Sequence, residues 1–290
     1  MEMQLTDADH ERLRYALAGR EPAAGRSLFG PGSMTWHVNR EAVLLLGGGR
    51  ALLMQVAHPL VAAGVAAYSD FRKDPLGRLR RTLDLTLTIT FADAEHAIRA
   101  VRTIERVHTR VRGRLDEDVG PFARGTLYTA NDPALLFWVH ATLVDTALVA
   151  YERYVGRLGA RGRARYYEES TIAARLMGVP EHLIPARYAD FQRYMSGMLR
   201  GPLLAVGPLA REIAASVLRP PLPRITQPAF WLTAALTIRL LPPVLRRRYG
   251  FGRQRTPELV AESVARLARP TIALLPSMLR LMPHARRARA

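Results

Sequence analysis

Three of the eight histidines sit in strongly apolar surroundings with helical periodicity: His58 in Gln55-Val56-Ala57-His58-Pro59, His108 on a run ending at Gly113, and His140 in Phe137-Trp138-Val139-His140. An imidazole in such a setting is either a core group satisfied by one backbone carbonyl or a neutral nitrogen ligand for a metal. His108 stands apart because Arg112 follows at i+4, where a continuing helix would carry it one turn further along the same face. A cofactor ligated by His108 could then rest an anionic group against that guanidinium. The same stretch reads Glu105-Arg106-Val107-His108, the Glu-x-x-His spacing of ferritin-like di-iron sites. Those sites need a second such pair and two further carboxylates, and here there is one copy.

A second cluster lies upstream. Arg78-Leu79-Arg80-Arg81-Thr82 places Arg78, Arg81 and Thr82 on one side of a helix, at i, i+3 and i+4. Turned to solvent, they are a charged first turn; turned to a cavity, they could orient a bound diatomic or stabilise an oxyanion. Gly47-Gly48-Gly49-Arg50 lacks the Gly-Lys-Ser/Thr ending of a phosphate loop, and no strand of period two precedes it. Those glycines serve a turn, or a place where helices or a flat cofactor approach the backbone closely.

The elements that must position these groups are nearly all helical. An opening helix spans about 6–20 and a Gly/Pro/Ser-rich loop follows to Ser33. Residues 40–67 form two short helices broken at the triple glycine and Pro59, and 78–91 is a helix. Asp93 caps another helix, whose apolar positions Ala97, Val101, Ile104, Val107 and Val111 keep helical spacing as far as Gly113. Residues 116–131 read as a loop, and Asp132-Pro133 opens a helix to about Val155. Further helices are expected at about 161–177, 186–200 and 202–218, and a final one from Thr256 to Leu281 ahead of a frayed basic tail. The apolar run from Pro228 to Leu241 is too short to span a bilayer. With no repeat and no low-complexity linker, the chain reads as one all-α domain of about eight to ten helices.

Composition narrows the chemistry. The absence of cysteine among the 290 residues removes disulfides, thiolate ligands, iron–sulfur clusters and Cys nucleophiles. Lys73 is the sole lysine, so the net charge of +17 is almost wholly arginine. The arginines are spread through every segment rather than gathered in a stripe, and no aromatic-interleaved basic platform appears, so nucleic acid is not expected as a partner. Residues 1–26 carry no apolar segment of signal-peptide type, which makes cytoplasmic the expected location.

Three segments in order, Arg78 to Thr82, Val107-His108 followed by Arg112, and Trp138-Val139-His140-Ala141-Thr142-Leu143-Val144-Asp145, resemble the catalytic domain shared by latex clearing proteins (rubber oxygenases) and mpaB-type oxygenases. Gln55-Val56-Ala57-His58-Pro59 and Leu241-Pro242-Pro243 to Tyr249-Gly250 look similar too, so the likeness covers roughly residues 35 to 250. The resemblance implies a helical fold enclosing a haem b pocket, with His108 as iron ligand, Arg112 and His140 supporting the cofactor, and Arg78, Arg81 and Thr82 on the catalytic, distal side. Latex clearing proteins have lysine at the position of Arg81, and arginine cannot give up its proton to bind iron as that lysine can.

On this reading residues 1–34 are an N-terminal helix and loop, 35–250 the haem-binding catalytic domain, and 251–290 a C-terminal helix and basic tail packed on it. The expected activity is a haem-dependent oxygenase acting with dioxygen on a hydrophobic small molecule, by oxygen insertion or oxidative cleavage at an alkene. Two alternatives stand beside it: a non-catalytic Arg-rich helical module on anionic membrane surfaces, and a non-haem di-iron protein using Glu105 and His108. Peripheral membrane contact is compatible with all three; the oligomeric state leaves no signature.

Overall fold

The computed structural model describes residues 5–17, 27–68, 75–219, 227–252 and 255–288. Local signals set most of the helix starts. Helix α1 (Asp7–Leu17) is followed by α2 (Met34–Asn39), capped by the Ser33 hydroxyl accepting from Trp36 N at 3.0 Å. A 3-10 turn, Ala42–Gly47, runs into α3 (Gly48–Val56), and α4 (Pro59–Tyr68) leaves it at a bend of 110°. Next come α5 (Pro75–Phe91) and α6 (Ala94–His108), the second capped by Asp93, whose carboxylate accepts from His96 N at 2.9 Å.

Two short strands, β1 (Arg112–Arg114) and β2 (Leu127–Thr129), pair antiparallel with Arg112 opposite Thr129. Asp132 caps α7 (Pro133–Tyr154), with α8 (Gly159–Leu176), α9 (Tyr188–Arg200) and α10 (Pro208–Leu218) after it. The chain closes with α11 (Gln227–Leu240), α12 (Pro243–Arg248), α13 (Arg255–Leu274), α14 (Ser277–Arg280) and α15 (Pro283–Arg287). The all-α expectation holds, with fifteen helices among the described residues rather than eight to ten. The difference comes from glycines and prolines that divide apolar runs into one-turn pieces.

Two boundaries depart from the sequence reading. The helix expected to reach Gly113 stops at His108: Thr109 caps it by donating its backbone N–H to Glu105 O, and Val111 N turns back to His108 O at 3.0 Å. Val111 keeps the helical spacing of its predecessors, yet it packs instead against Gly64 of α4, where an added Cβ would lie 3.1 Å from it. The final helix stops at Leu274, ahead of Pro276, and α14 follows as a separate turn. The basic tail is ordered through Arg287: Ala285 is buried, and His284 Nε2 lies 3.0 Å from Asp84 Oδ1 on α5.

The core is built around α7, which carries Phe137, Trp138, Ala141, Val144 and Leu148 into one cluster with Leu53 and Met54 of α3 and Ile213 of α10. By length and composition α7 could cross a membrane, but 61% of its most apolar stretch is buried in protein, as a core helix requires. The triple glycine is where helices close on one another. A Cβ on Gly47 would sit 2.7 Å from Thr146 Cγ2, and one on Gly49 would sit 2.4 Å from Thr237 Oγ1. Arg50 is buried beside them with its fork satisfied three ways: Nε to Leu240 O at 2.9 Å, Nη1 to Thr146 Oγ1 at 2.5 Å and Nη2 to Asp145 Oδ2 at 2.6 Å. It joins α3, α7 and α11 through one side chain.

Candidate functional site

The two-residue link between Phe91 and Ala94 folds α6 back along α5, and the two helices are in extensive contact. The start of α5 and the end of α6 therefore lie at the same end of this hairpin. At 1.5 Å rise per residue, Arg78 and His108 each stand about 20 Å from the link, which brings the two sequence clusters level with each other.

His108 is the last residue of α6 and is half-buried, with Nδ1 enclosed and without a hydrogen-bond partner. Burial holds its pKa below the usual imidazole value, opposed in part by the Glu105 carboxylate, so the ring is neutral at pH 7. Metal coordination requires that form. His140, two turns into α7, has its Nε2 enclosed without a partner and its pKa pushed down by burial to about 4. Its ring centroid is 6.3 Å from that of Phe137. His58, where α3 turns into α4, is 5% exposed, has an unpartnered Nδ1, and is likewise lowered to about 4 by burial, which outweighs the opposing charge of Asp132. The three imidazoles singled out by their apolar surroundings are thus the ones with an unsatisfied ring nitrogen inside the protein, save His284.

Arg112 does not share a helical face with His108, because the chain has left the helix. It is the first residue of β1, exposed, and its carbonyl accepts from Tyr68 Oη at 2.7 Å. Pairing with Thr129, three residues ahead of the Asp132 cap, ties it to the start of α7. The strand pair thereby links the end of α6, the end of α4 and the helix that carries His140.

On α5, Arg81 and Thr82 are exposed, and the Thr82 carbonyl accepts from Thr86 Oγ1 at 2.9 Å. The Arg78 side chain lies outside the described residues. Glu105 is engaged by α1, where its Oε1 lies 2.8 Å from Arg12 Nη2. Among the described residues no three His, Asp or Glu side chains gather as a metal-ligand set, so Glu105 has no carboxylate companions for a di-iron centre.

Beside this region a cleft of about 290 Å³ opens between α4 and the loop after β1. Its floor is Pro59, Ala62, Ala63, Ala66 and Ala67; Arg114, Asp116, Glu117 and Tyr128 form the facing wall with Gly207, Leu209 and Ala210. None of the sequence-predicted site residues lines it, and among the lining residues none belongs to α7. Sequence reasoning missed Tyr68 and Tyr128. Tyr128 lay in a segment read as loop, and its one signal was Gly113 across the ladder, where an added Cβ would meet Tyr128 Oη at 2.7 Å.

A chain with these features matches one family, described as the ER-bound oxygenase mpaB/B'/rubber oxygenase catalytic domain, from residue 35 to residue 270. No curated protein and no solved structure matches it.

Proposed function

Because this chain belongs to the mpaB/rubber-oxygenase catalytic-domain family, and so carries an oxygenase fold, we propose that it is a haem-dependent oxygenase acting with dioxygen on a hydrophobic small molecule. The reaction class we assign is oxygen insertion or oxidative cleavage at an alkene. The observation that carries the cofactor assignment is His108: a neutral imidazole at the end of α6, with an enclosed ring nitrogen that has no partner among the described residues. A buried polar atom left without a partner costs about 1–3 kcal/mol, so its retention points to a ligand-holding role.

His108 would hold the iron of haem b through its neutral imidazole, the form that a nitrogen ligand must take. A single imidazole suffices where the macrocycle supplies the other nitrogen donors, in keeping with the lack of a multi-residue metal cluster among the described side chains. Bound there, the haem iron supplies the means to bind and activate dioxygen. Arg112, exposed at the head of β1, offers a fixed cation to a propionate, and the strand pair holds it in register with α7. His140 stays neutral and offers its enclosed nitrogen as a hydrogen-bonding group at the cofactor's edge. Arg78, Arg81 and Thr82 would serve the oxygen-binding side of the cofactor, where guanidinium and hydroxyl groups supply hydrogen-bond donors. The guanidinium of Arg81 offers donors and no acceptor.

The test is an absorption spectrum of protein produced with haem supplied. The expected result is a Soret band that disappears in His108→Ala while the far-ultraviolet circular dichroism stays helical. Equal haem uptake by the variant, or iron bound without porphyrin, would overturn the assignment.

A further inference from the structure

We propose that the outward face of α13 and α14 docks onto an anionic lipid bilayer surface. The inner face of α13 is committed to the protein: Ala265 and Ile272 pack with Ala150 and Tyr154 of α7 and Leu236 of α11. The opposite face is apolar and bare. Leu259, Leu267 and Leu274 follow at spacings of eight and seven residues, which keeps them on one side of the helix, and they are 68%, 67% and 85% exposed. Met278 and Leu279 continue the row onto α14 at 72% and 68% exposed. From Leu259 to Leu274 the row runs for about 22 Å. Exposed leucines are ordinary singly; three on one side of a helix at two-turn spacing, separated by Ser263, Pro270 and Thr271 and followed by Met278 and Leu279, line up the apolar contacts of one surface.

The charge around the row selects the occupant. After Glu262 the sequence contains no acidic residue to its end, and it contains six arginines, at 266, 269, 280, 286, 287 and 289. Glu262 is itself held among Arg153, Arg239 and Arg266. Arg266, at 80% side-chain exposure, stands immediately beside Leu267, and Arg287 is exposed as well, whereas Arg269 donates to the Glu152 carbonyl and is not counted toward the surface. Arg280 is engaged with Glu41 and is not counted toward the surface. Leucines that can enter the acyl boundary, flanked by cations at the level of phosphate headgroups, are the pattern of a helix lying in a membrane interface. A second copy of the same surface would meet it with like charge. Trp231, 47% exposed on α11, the helix packed against α13, is of the residue type favoured at the headgroup level. The family match ends at residue 270, so Leu274, Met278 and Leu279 lie beyond the part of the chain that the catalytic domain accounts for.

The experiment is co-flotation of the full chain with vesicles of equal parts phosphatidylglycerol and phosphatidylcholine, and with phosphatidylcholine vesicles alone. The expected result is binding to the anionic vesicles that weakens as salt is raised and falls roughly tenfold or more in Leu267→Asp/Leu274→Asp and in Arg266→Glu/Arg287→Glu. All these positions are exposed, and a melting curve for each variant establishes that it is folded. Two results would overturn the proposal. One is vesicle binding unchanged by the leucine substitutions. The other is a wild-type dimer that the leucine substitutions convert to monomer while neither form floats, which would make a second copy the occupant. None of these readouts depends on whether the protein carries haem.

Discussion

His108 and Arg112 are four residues apart but stand on different elements: His108 closes α6, and Arg112 opens β1 opposite Thr129. The guanidinium is therefore positioned by the strand ladder and by Tyr68 Oη on its carbonyl, not by the helix that carries the imidazole. The two groups should fail separately when substituted.

Arg112→Ala is expected to keep the Soret band and weaken haem affinity by roughly tenfold, the worth of one charge-assisted contact at an exposed site. Haem titration of the apoprotein, compared with His108→Ala, checks this. Equal and complete loss in both variants would mean that Arg112 acts through the fold of the 108–114 turn and not through its charge.

Thr82→Ala should leave haem content unchanged and lower turnover by about a hundredfold, the typical cost of removing one donor from a charge-stabilising site. Thr82 is exposed, so stability should not move. Single-turnover oxygen consumption measured beside a melting curve separates the two effects.

Acid should destabilise the protein through His58. Its folded pKa is about 4 against an ordinary 6.5, so the unfolded chain binds the proton more tightly. The stability that follows is fully present above pH 6.5 and is lost as pH falls toward 4, amounting to about 3 kcal/mol over that window. His58→Leu should flatten the slope of urea-unfolding stability between pH 6.5 and 4. At pH 7.5 it should cost little, since Nδ1 makes no hydrogen bond to lose.

The C-terminal turn is held to the 40–41 segment by Met282 N donating to Arg40 O at 2.7 Å and by an ion pair. Glu41 is fully buried and accepts from Arg280 Nε at 2.8 Å and Nη2 at 3.0 Å. Arg280→Ala leaves that carboxylate without its principal partner and is expected to cost about 3–5 kcal/mol, whereas Glu41→Gln/Arg280→Met should recover much of it. Chemical denaturation of the single and double variants measures the difference.

Much of the architecture was legible because its signals are local. Asp93 and Asp132 announce helix starts through side chains that satisfy the first backbone N–H groups, and the 3.6-residue period of α7 names its buried face without reference to any neighbour, whereas the Ser33 cap of α2 reads as the end of a loop. The triple glycine announced a close approach, and its order-of-magnitude meaning was readable too: a residue without Cβ is tolerated where another backbone must come near.

What the sequence determined by itself is the all-α class with its longer helices, the three imidazoles in apolar surroundings and the Arg-rich, Cys-free chemistry. Only the tertiary structure decided that α6 ends at His108, because the competing pull is a ladder with residues fifteen positions further on, and a window along the chain sees only the helical spacing of Val107 and Val111. It likewise decided that Thr237 and Thr146 are what the glycines make room for, and that Glu105 serves Arg12. Helical period and caps are properties of neighbours in sequence; pairing, cavity walls and charge partners depend on segments far apart in the chain, whose meeting is fixed by packing alone.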